Sequence, residues 1–137
     1  MFTITTKTSS TNVFSDLNGD MFRDTTNNDV KKDIDHNAIK NSIRNILMTK
    51  KRSRRMMPTF GCDLDSILFQ PVDEITANQL GALILDEIRY WEKRITIINL
   101  NITGDPEKSQ YTLDLDYSIN STSISNMDRI TFVLKQI

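Results

Sequence analysis

Apolar residues change their spacing once in the second half of the chain, across Arg89–Ile95. Before this segment they recur every three or four positions, which places them on one face of an α-helix: Leu80, Ile84, Ile88 and Trp91. After it they alternate with polar residues, as in a strand with one buried face: Ile98, Leu100 and Ile102. The segment therefore predicts a corner where a helix passes into a sheet, and this corner carries an acid, neighbouring bases and a tryptophan.

Two more strands are predicted beyond the corner. Apolar and polar residues alternate over Tyr111–Ile119 and again over Ile130–Leu134, and polar turns at Gly104–Ser109 and Asn120–Ser123 separate the runs. Short connections between successive strands favour an antiparallel meander. The predicted fold class is therefore α+β, with a meander of three or more strands covered by two main helices and one short helix.

Three helices are predicted before the corner. Asp35 is a suitable N-cap for a first helix that ends near Lys50. Asp63 is a suitable N-cap for a short second helix, and Pro71 ends it.

The long third helix and the apolar faces together predict the core. A capping box at Thr76–Gln79 is expected to start this helix, with Ile75 and Leu80 packing as a hydrophobic staple. The residues that fall on matching apolar faces of helices, strands and the loop before the short helix are Ile39, Ile43, Ile46, Leu47, Phe60, Leu64, Leu68, Leu80, Ile84, Ile88, Leu113, Leu115 and Phe132.

Length and composition favour one domain behind a polar arm. With 137 residues and 38% hydrophobic content, a single domain would bury about two-thirds of its unfolded surface. We expect that domain to span residues 14–137. Residues 1–13 are polar and rich in Thr and Ser, which favours a flexible arm. Phe2–Thr5 alternates and could add to a partner as an edge strand, although a frayed terminus accounts for the same composition.

The residue inventory argues against most enzymes and cofactor sites. One cysteine and one histidine, Cys62 and His36, cannot form a disulfide or a multi-cysteine metal site, and Cys62 is expected to be a small buried side chain. Four scattered glycines form no phosphate-binding loop. No apolar run approaches the roughly 20 residues that span a bilayer. We therefore expect no catalytic residue, no cofactor and no metal.

A run of cations follows the first predicted helix. Lys50–Arg55 places five bases in six positions. Such a patch can hold phosphates, but no aromatic residues are interleaved and the net charge of the chain is -1. An acidic surface on a protein partner is the favoured interpretation, with Arg52 and Arg54 as contact residues, and we expect no nucleic-acid and no membrane partner.

Two motifs carry a family resemblance. Glu92-Lys93-Arg94, with Trp91 before it and Ile95 after it, is similar to a Glu-Pro-Arg tripeptide that ends a helix in the small baseplate wedge proteins of contractile-tailed phages, a sheath-initiator family with a type VI secretion counterpart. The proline of the family is replaced by lysine here.

The second motif covers the basic run and the segment after it. Ser53 and Arg54 precede a Pro-x-Phe-Gly-Cys-Asp-Leu segment at the family spacing, and Arg52 stands where family members have glycine. The residues of that segment are Pro58, Phe60, Gly61, Cys62, Asp63 and Leu64.

The resemblance implies a structural part of the baseplate wedge. It implies that Glu92 and Arg94 of the corner bind the helical core bundle of the wedge, and we expect Trp91, Arg54 and Arg52 to contribute further partner contacts. On this view Arg94→Lys would leave folding almost untouched. The resemblance also implies that tail-sheath subunits assemble on the sheet. Because a short meander leaves unpaired backbone groups at its margins, we expect them to do so by strand addition, at Arg129–Lys135 or at Phe2–Thr5 of the arm. The protein would then reside in the tail baseplate of the virion, and in the host cytoplasm during assembly.

Two alternatives stay open at this stage. The family has carried a lysozyme label, and Glu92 beside Trp91 could imitate the protonated acid of a peptidoglycan-degrading enzyme, although Lys93 and Arg94 favour its ionised form. The chain could also serve the baseplate of a type VI secretion or tailocin system instead of a phage.

Overall fold

The computed structural model describes residues 14–19, 21–25, 28–120 and 127–135. The chain forms two compact units, residues 1–38 and residues 39–137. The expected arm over residues 1–13, including its possible strand at Phe2–Thr5, lies outside the described residues, and a single domain over residues 14–137 stays a prediction. Within the described ranges, no helix is long and apolar enough to cross a membrane.

The N-terminal unit contains a small two-stranded sheet. Strand β1, Ser15–Leu17, pairs antiparallel with strand β2, Lys32–Ile34. The buried carboxylate of Asp33 anchors this pair, because Asn18 Nδ2 donates to both of its oxygens at 3.1 Å. The sequence predicted no long regular element here, and these three-residue strands were missed because neither has an alternating apolar face.

Three helices follow, close to the predicted positions: α1 is His36–Met48, α2 is Asp65–Leu68 and α3 is Glu74–Trp91. Two predicted helix starts are wrong. The N-cap of α2 is Leu64, which makes no side-chain capping bond, so Asp63 is not the cap.

Helix α3 begins before the predicted capping box. Its N-cap is Asp73, whose Oδ1 accepts a hydrogen bond from the Thr76 N–H at 2.6 Å. Aspartate caps at least as well as threonine, so the helix gains most of a turn by starting at the earlier residue. Ile75 is therefore in the first turn and is 70% exposed, which excludes it from the predicted staple.

The predicted antiparallel meander is confirmed. Strands β3, Ile95–Asp105, β4, Gln110–Ile119, and β5, Met127–Lys135, form one sheet in the order β3-β4-β5. Strand β4 is central, and its residues alternate between fully buried and half-buried positions along the whole strand. This alternation is the strongest strand signal of the sequence, because a central strand packs one complete face against the core.

Strand β3 departs from strict alternation at one residue. Ile97 pairs with Tyr117 and Asn99 pairs with Asp116, so Ile98 is the extra residue of a β-bulge. A bulge shifts the side chains on one side of it to the opposite face. Ile98 is accordingly exposed, and its predicted place on the buried face is wrong.

The predicted core is confirmed except at its two phenylalanines. Phe60 and Phe132 are half-buried, whereas the other eleven predicted core residues are buried. The largest additions are Tyr111 and Tyr117, both fully buried on β4. The hydroxyl of Tyr117 donates to Asp128 Oδ2 at 3.2 Å, which satisfies its polar end.

Ile84 lies at the centre of the buried face of α3 and has no exposed surface. Ile84→Ala should lower the free energy of unfolding by about 2 to 5 kcal/mol, since it removes buried methyl groups and leaves a cavity. Urea denaturation measures this change. Ile98→Ala is the matched control, because Ile98 is 47% exposed on the bulge, and it should cost less than about 1 kcal/mol. Equal losses from the two variants would contradict the assignment of the helix face.

Candidate functional site

The helix-to-sheet corner lies where the sequence predicted it. Helix α3 ends at Trp91, Glu92 is its C-cap residue, and β3 begins at Ile95. The Glu92 N–H closes the last helical turn by donating to Ile88 O at 2.8 Å. From the end of β4, the Asn120 N–H donates to Arg94 O at 2.8 Å, so the corner is held by the helix on one side and by the sheet on the other.

Glu92 and Arg94 form a fork inside the corner. Arg94 Nε donates to Glu92 Oε1 at 2.7 Å and Arg94 Nη2 donates to Oε2 at 2.6 Å, while the Arg94 N–H also reaches Oε1 at 3.2 Å. Glu92 is only 3% exposed, and the Arg94 side chain is 27% exposed. The expectation that both charges face a partner is therefore wrong for Glu92, whose carboxylate is buried and engaged within the chain.

The pKa of Glu92 reflects this engagement. Burial raises the pKa of the carboxyl group, but hydrogen bonds from Arg94 and Ser42 and the positive charge of Arg94 lower it by more. The net pKa lies below the ordinary glutamate value, so Glu92 is ionised near neutral pH. A carboxyl group with a lowered pKa is poorly suited to act as a general acid.

A row of three aromatic rings connects the corner to the basic run. The Phe60 and Trp91 ring centroids are 5.0 Å apart, and those of Trp91 and Tyr90 are 4.9 Å apart, both in edge-to-face geometry. The Arg54 guanidinium lies 4.2 Å from the Phe60 centroid and Lys93 Nζ lies 5.6 Å from the Tyr90 centroid. We call these three rings the aromatic row. It brings Arg54 and Trp91, predicted independently as contact residues, into one structure with a cation at each end.

The loop Lys50–Phe60, which we call the basic loop, is closed at its base by Gly61. The Cys62 N–H donates to Thr49 O at 2.9 Å. Gly61 has a φ of 105°, and a Cβ atom there would lie 2.0 Å from Thr49 O, so only glycine permits this closure. A second hydrogen bond, from the Arg52 N–H to Pro58 O at 2.8 Å, joins the two sides of the loop nearer its tip.

The five cations of the basic run have different environments. Lys50 pairs with Asp65 at 2.8 Å, and Lys51 pairs with Glu87 of α3. Arg54 stacks on Phe60, as described above. The side chains of the other two, Arg52 and Arg55, make no hydrogen bond or ion pair with any described residue, and both are exposed. Two of the five charges are thus neutralised within the chain, which weakens the case for phosphate binding.

The two outer strands of the meander each present an unpaired edge among the described residues. A groove of about 400 Å³ runs between α3 and β3 and is lined in part by Ala77, Gly81 and Ile98. A second groove, of about 220 Å³, lies beside the end of β5 and is lined in part by Leu47, Leu64, Leu68 and Val133. Both edges therefore have space next to them.

The residues that sequence reasoning missed belong to the aromatic row. Tyr90 and Lys93 stand inside the corner motif but were given no role, and Phe60 was assigned to the core. The contact between Phe60 and Trp91 joins segments about thirty positions apart, which periodicity alone does not report. In the part of the chain that the structure describes, no cluster of histidine, cysteine or acidic residues could hold a metal ion. Burial raises the pKa of Cys62 to about 12, so its thiol is unreactive, in keeping with its predicted role.

The sequence is similar to that of baseplate wedge proteins. The sequence model of the family described as "Baseplate wedge protein gp25" matches residues 34–123. The baseplate wedge protein gp25 of Enterobacteria phage T4 is 34% identical to this chain over 125 residues, which cover 91% of each protein.

Two solved structures share the fold. A Geobacter sulfurreducens protein described as a candidate tail lysozyme is 24% identical, with a TM-score of 0.64 over 72% of this chain and 88% of that one. A chain in the baseplate of the anti-feeding prophage is 14% identical, with a TM-score of 0.61 over 90% of this chain and 86% of that one. At these identities the two structures establish the fold and not the activity.

The buried fork makes the stability of the fold depend on pH. The folded-state pKa of Glu92 is lowered, so its contribution is fully present above the unfolded pKa of about 4.3 and is lost as pH falls through the folded value. Glu92→Gln should lower the free energy of unfolding at pH 7 by roughly 1 to 3 kcal/mol and should flatten its decline below about pH 4. Arg94→Lys should also destabilise, by about 1 kcal/mol, because lysine cannot form the two parallel bonds.

Urea denaturation at pH 7 and at pH 3.5 checks both effects. Glu107→Gln is the matched control, because Glu107 is exposed in the turn between β3 and β4, and it should change neither value. If Glu92→Gln were as stable as the unmodified protein at pH 7, the fork would contribute nothing to the fold.

Proposed function

This chain belongs to the baseplate wedge protein gp25 family and is a structural component of a contractile-tail baseplate, and we propose that it links the helical core bundle of the wedge to the first ring of sheath subunits. The virion tail baseplate is its location, and we propose that it reaches the baseplate from the host cytoplasm during assembly. The observation that carries the proposal is the rigid corner, which presents aromatic and cationic side chains from a backbone held on both sides.

The corner is proposed to dock the helical bundle. Tyr90 is 65% exposed, and Lys93 is exposed beside it, so the outer end of the aromatic row is available to a partner. Arg94 remains partly exposed while Glu92 fixes its orientation. In this proposal Glu92 is a positioning residue, and Arg94, Trp91 and Tyr90 form the contact surface. Aromatic residues and arginine are the side chains that most often dominate binding energy at interfaces.

The edge of β5 is proposed to accept a strand from a sheath subunit. The β4–β5 register runs without a shift from Gln110↔Lys135 to Ser118↔Met127, so β5 is regular over its nine residues. The β3 edge is interrupted by the bulge at Ile98, and bulges are a common means of blocking strand addition. A regular edge with an apolar groove beside its end is the better template for a new strand.

The alternative function, degradation of peptidoglycan, would require Glu92 to act as a general acid. A glycosidase acid must be protonated in the reactive enzyme, whereas the pKa of Glu92 is lowered and both carboxylate oxygens are bonded to Arg94. Zymography on purified cell walls distinguishes the two functions. A clearing zone that Glu92→Gln abolishes would favour hydrolysis of peptidoglycan over the proposed structural role.

Tyr90→Ala tests the docking surface. It should weaken binding to the reconstituted wedge bundle by about ten- to a hundredfold, measured by biolayer interferometry, because it removes the exposed end of the aromatic row. Phe69→Ala is the matched control, since Phe69 is 64% exposed but lies outside the corner, and it should bind normally. Equal affinities for the two variants would place the bundle elsewhere on the chain.

Proline scanning tests the strand-addition site. Proline at positions 129–135 of β5 should block sheath polymerisation on baseplates in those variants that keep the normal melting temperature, because proline removes an edge N–H. The same scan over positions 99–103 of β3 and over Phe2–Thr5 provides the comparison. Normal polymerisation with well-folded β5 variants would show that the sheath strand does not add at this edge.

A further inference from the structure

The tip of the basic loop exposes an unusual set of side chains. Met56 is 95% exposed and Met57 is 45% exposed. Arg52 and Arg55 precede them in the loop, and their side chains have no partner among the described residues. We propose that the tip, Arg52–Met57, is a second docking surface, which receives a segment of a neighbouring baseplate protein that carries carboxylates around an apolar pocket. This inference rests on the proposed structural function and adds a separate contact to it.

The loop that carries this tip is held in place by many bonds. The backbone closures at Thr49 and Pro58 fix its base and its middle, and the Ser53 hydroxyl donates to Lys50 O at 2.7 Å. Toward the C-terminal end of the loop, the Phe60 N–H donates to Met57 O at 3.1 Å. Because these hydrogen bonds already order the loop, its tip loses little conformational entropy when a partner binds, and this favours binding.

Arg52 adopts a backbone conformation that is costly for an arginine. Its φ is 68°, in the left-handed region that glycine enters without strain. Its side chain gains no hydrogen bond or ion pair from the described residues in return. The backbone conformation serves the bond from the Arg52 N–H to Pro58 O, which a glycine would also make, so the arginine side chain itself is left to act on something outside the chain.

Charge and shape identify the chemistry of the occupant. The pairing of Lys50 and Lys51 with Asp65 and Glu87 leaves the positive charge concentrated toward the tip. Arginines pair with carboxylates through two parallel hydrogen bonds, and an exposed methionine adapts to a shallow apolar pocket. A phosphate backbone would use the arginines but would leave Met56 in water, so an acidic protein segment fits the tip better than nucleic acid does.

The aromatic row connects this tip to the corner. Arg54 lies within the tip and stacks on Phe60, which contacts Trp91 of the corner. The two surfaces are therefore continuous through packed side chains. A substitution at the tip that does not touch this stack should change tip binding alone, and Arg52 and Met56 satisfy that condition.

Arg52→Gly separates a binding role from a structural one. Because glycine relieves the left-handed strain, the variant should raise the melting temperature by about 1 to 4 °C. Its affinity for the reconstituted wedge should nevertheless fall by about tenfold, with a shallower dependence on salt. Met56→Ser should weaken binding to a similar extent without the rise in melting temperature. Arg44→Ala and Met21→Ser are the controls, since both residues are exposed and lie outside the tip.

The outcomes are distinguishable. A more stable Arg52→Gly variant that binds the wedge less tightly supports the inference. If the unmodified protein binds the wedge but Arg52→Gly and Met56→Ser bind equally well, the inference fails and the proposed function stands. No binding by the unmodified protein would overturn both. Steep salt-dependent binding of duplex DNA that Arg52→Gly abolishes would assign the tip to nucleic acid and overturn the inference.

Discussion

The buried fork between Glu92 and Arg94 is the interaction on which the corner depends. A carboxylate at a helix C-terminus faces the negative end of the helix dipole, and burying it adds a desolvation cost. Arg94 offsets both, because it supplies two side-chain bonds and one backbone bond to the same group. These bonds also fix where the backbone leaves α3 and enters β3. The direction of β3, and with it the direction of the meander, therefore depends on two residues that are two positions apart.

The aromatic row extends the influence of the corner to a distant part of the sequence. Trp91 packs edge-to-face on Phe60, and Lys51 reaches from the basic loop to Glu87 one helical turn earlier. Gly61 permits the chain to close the loop against the end of α1. The loop that carries the arginines is thus fixed from both of its ends by α1 and α3. Its exposed residues acquire defined positions although the loop contains no regular secondary structure.

The sequence predicted the parts of the fold that depend on periodicity. The faces of α1 and α3, the order of the strands and the position of the corner all follow from apolar spacing, which burial enforces directly. The helix starts were less predictable, because Asp73 and Thr76 are both good caps and apolar spacing does not distinguish between them. The bulge at Ile98 and the inward turn of Glu92 were not predictable, since each depends on a partner strand or side chain that spacing does not specify.

Polar side chains on the outer face of the meander pair with one another, which makes this face a poor surface for a protein partner. Arg129 pairs with Asp116 through two bonds of 2.6 and 3.0 Å, and Thr131 donates to Asp114 at 2.6 Å, so polar groups on this face already satisfy one another across strands. A partner that covered the face would have to break or desolvate these pairs. The outer backbone groups of β5 and the side chains of Arg52 and Arg55 have no such internal partners among the described residues. A partner that bound at the β5 edge or at Arg52 and Arg55 would therefore displace water and would break no ion pair among the described residues.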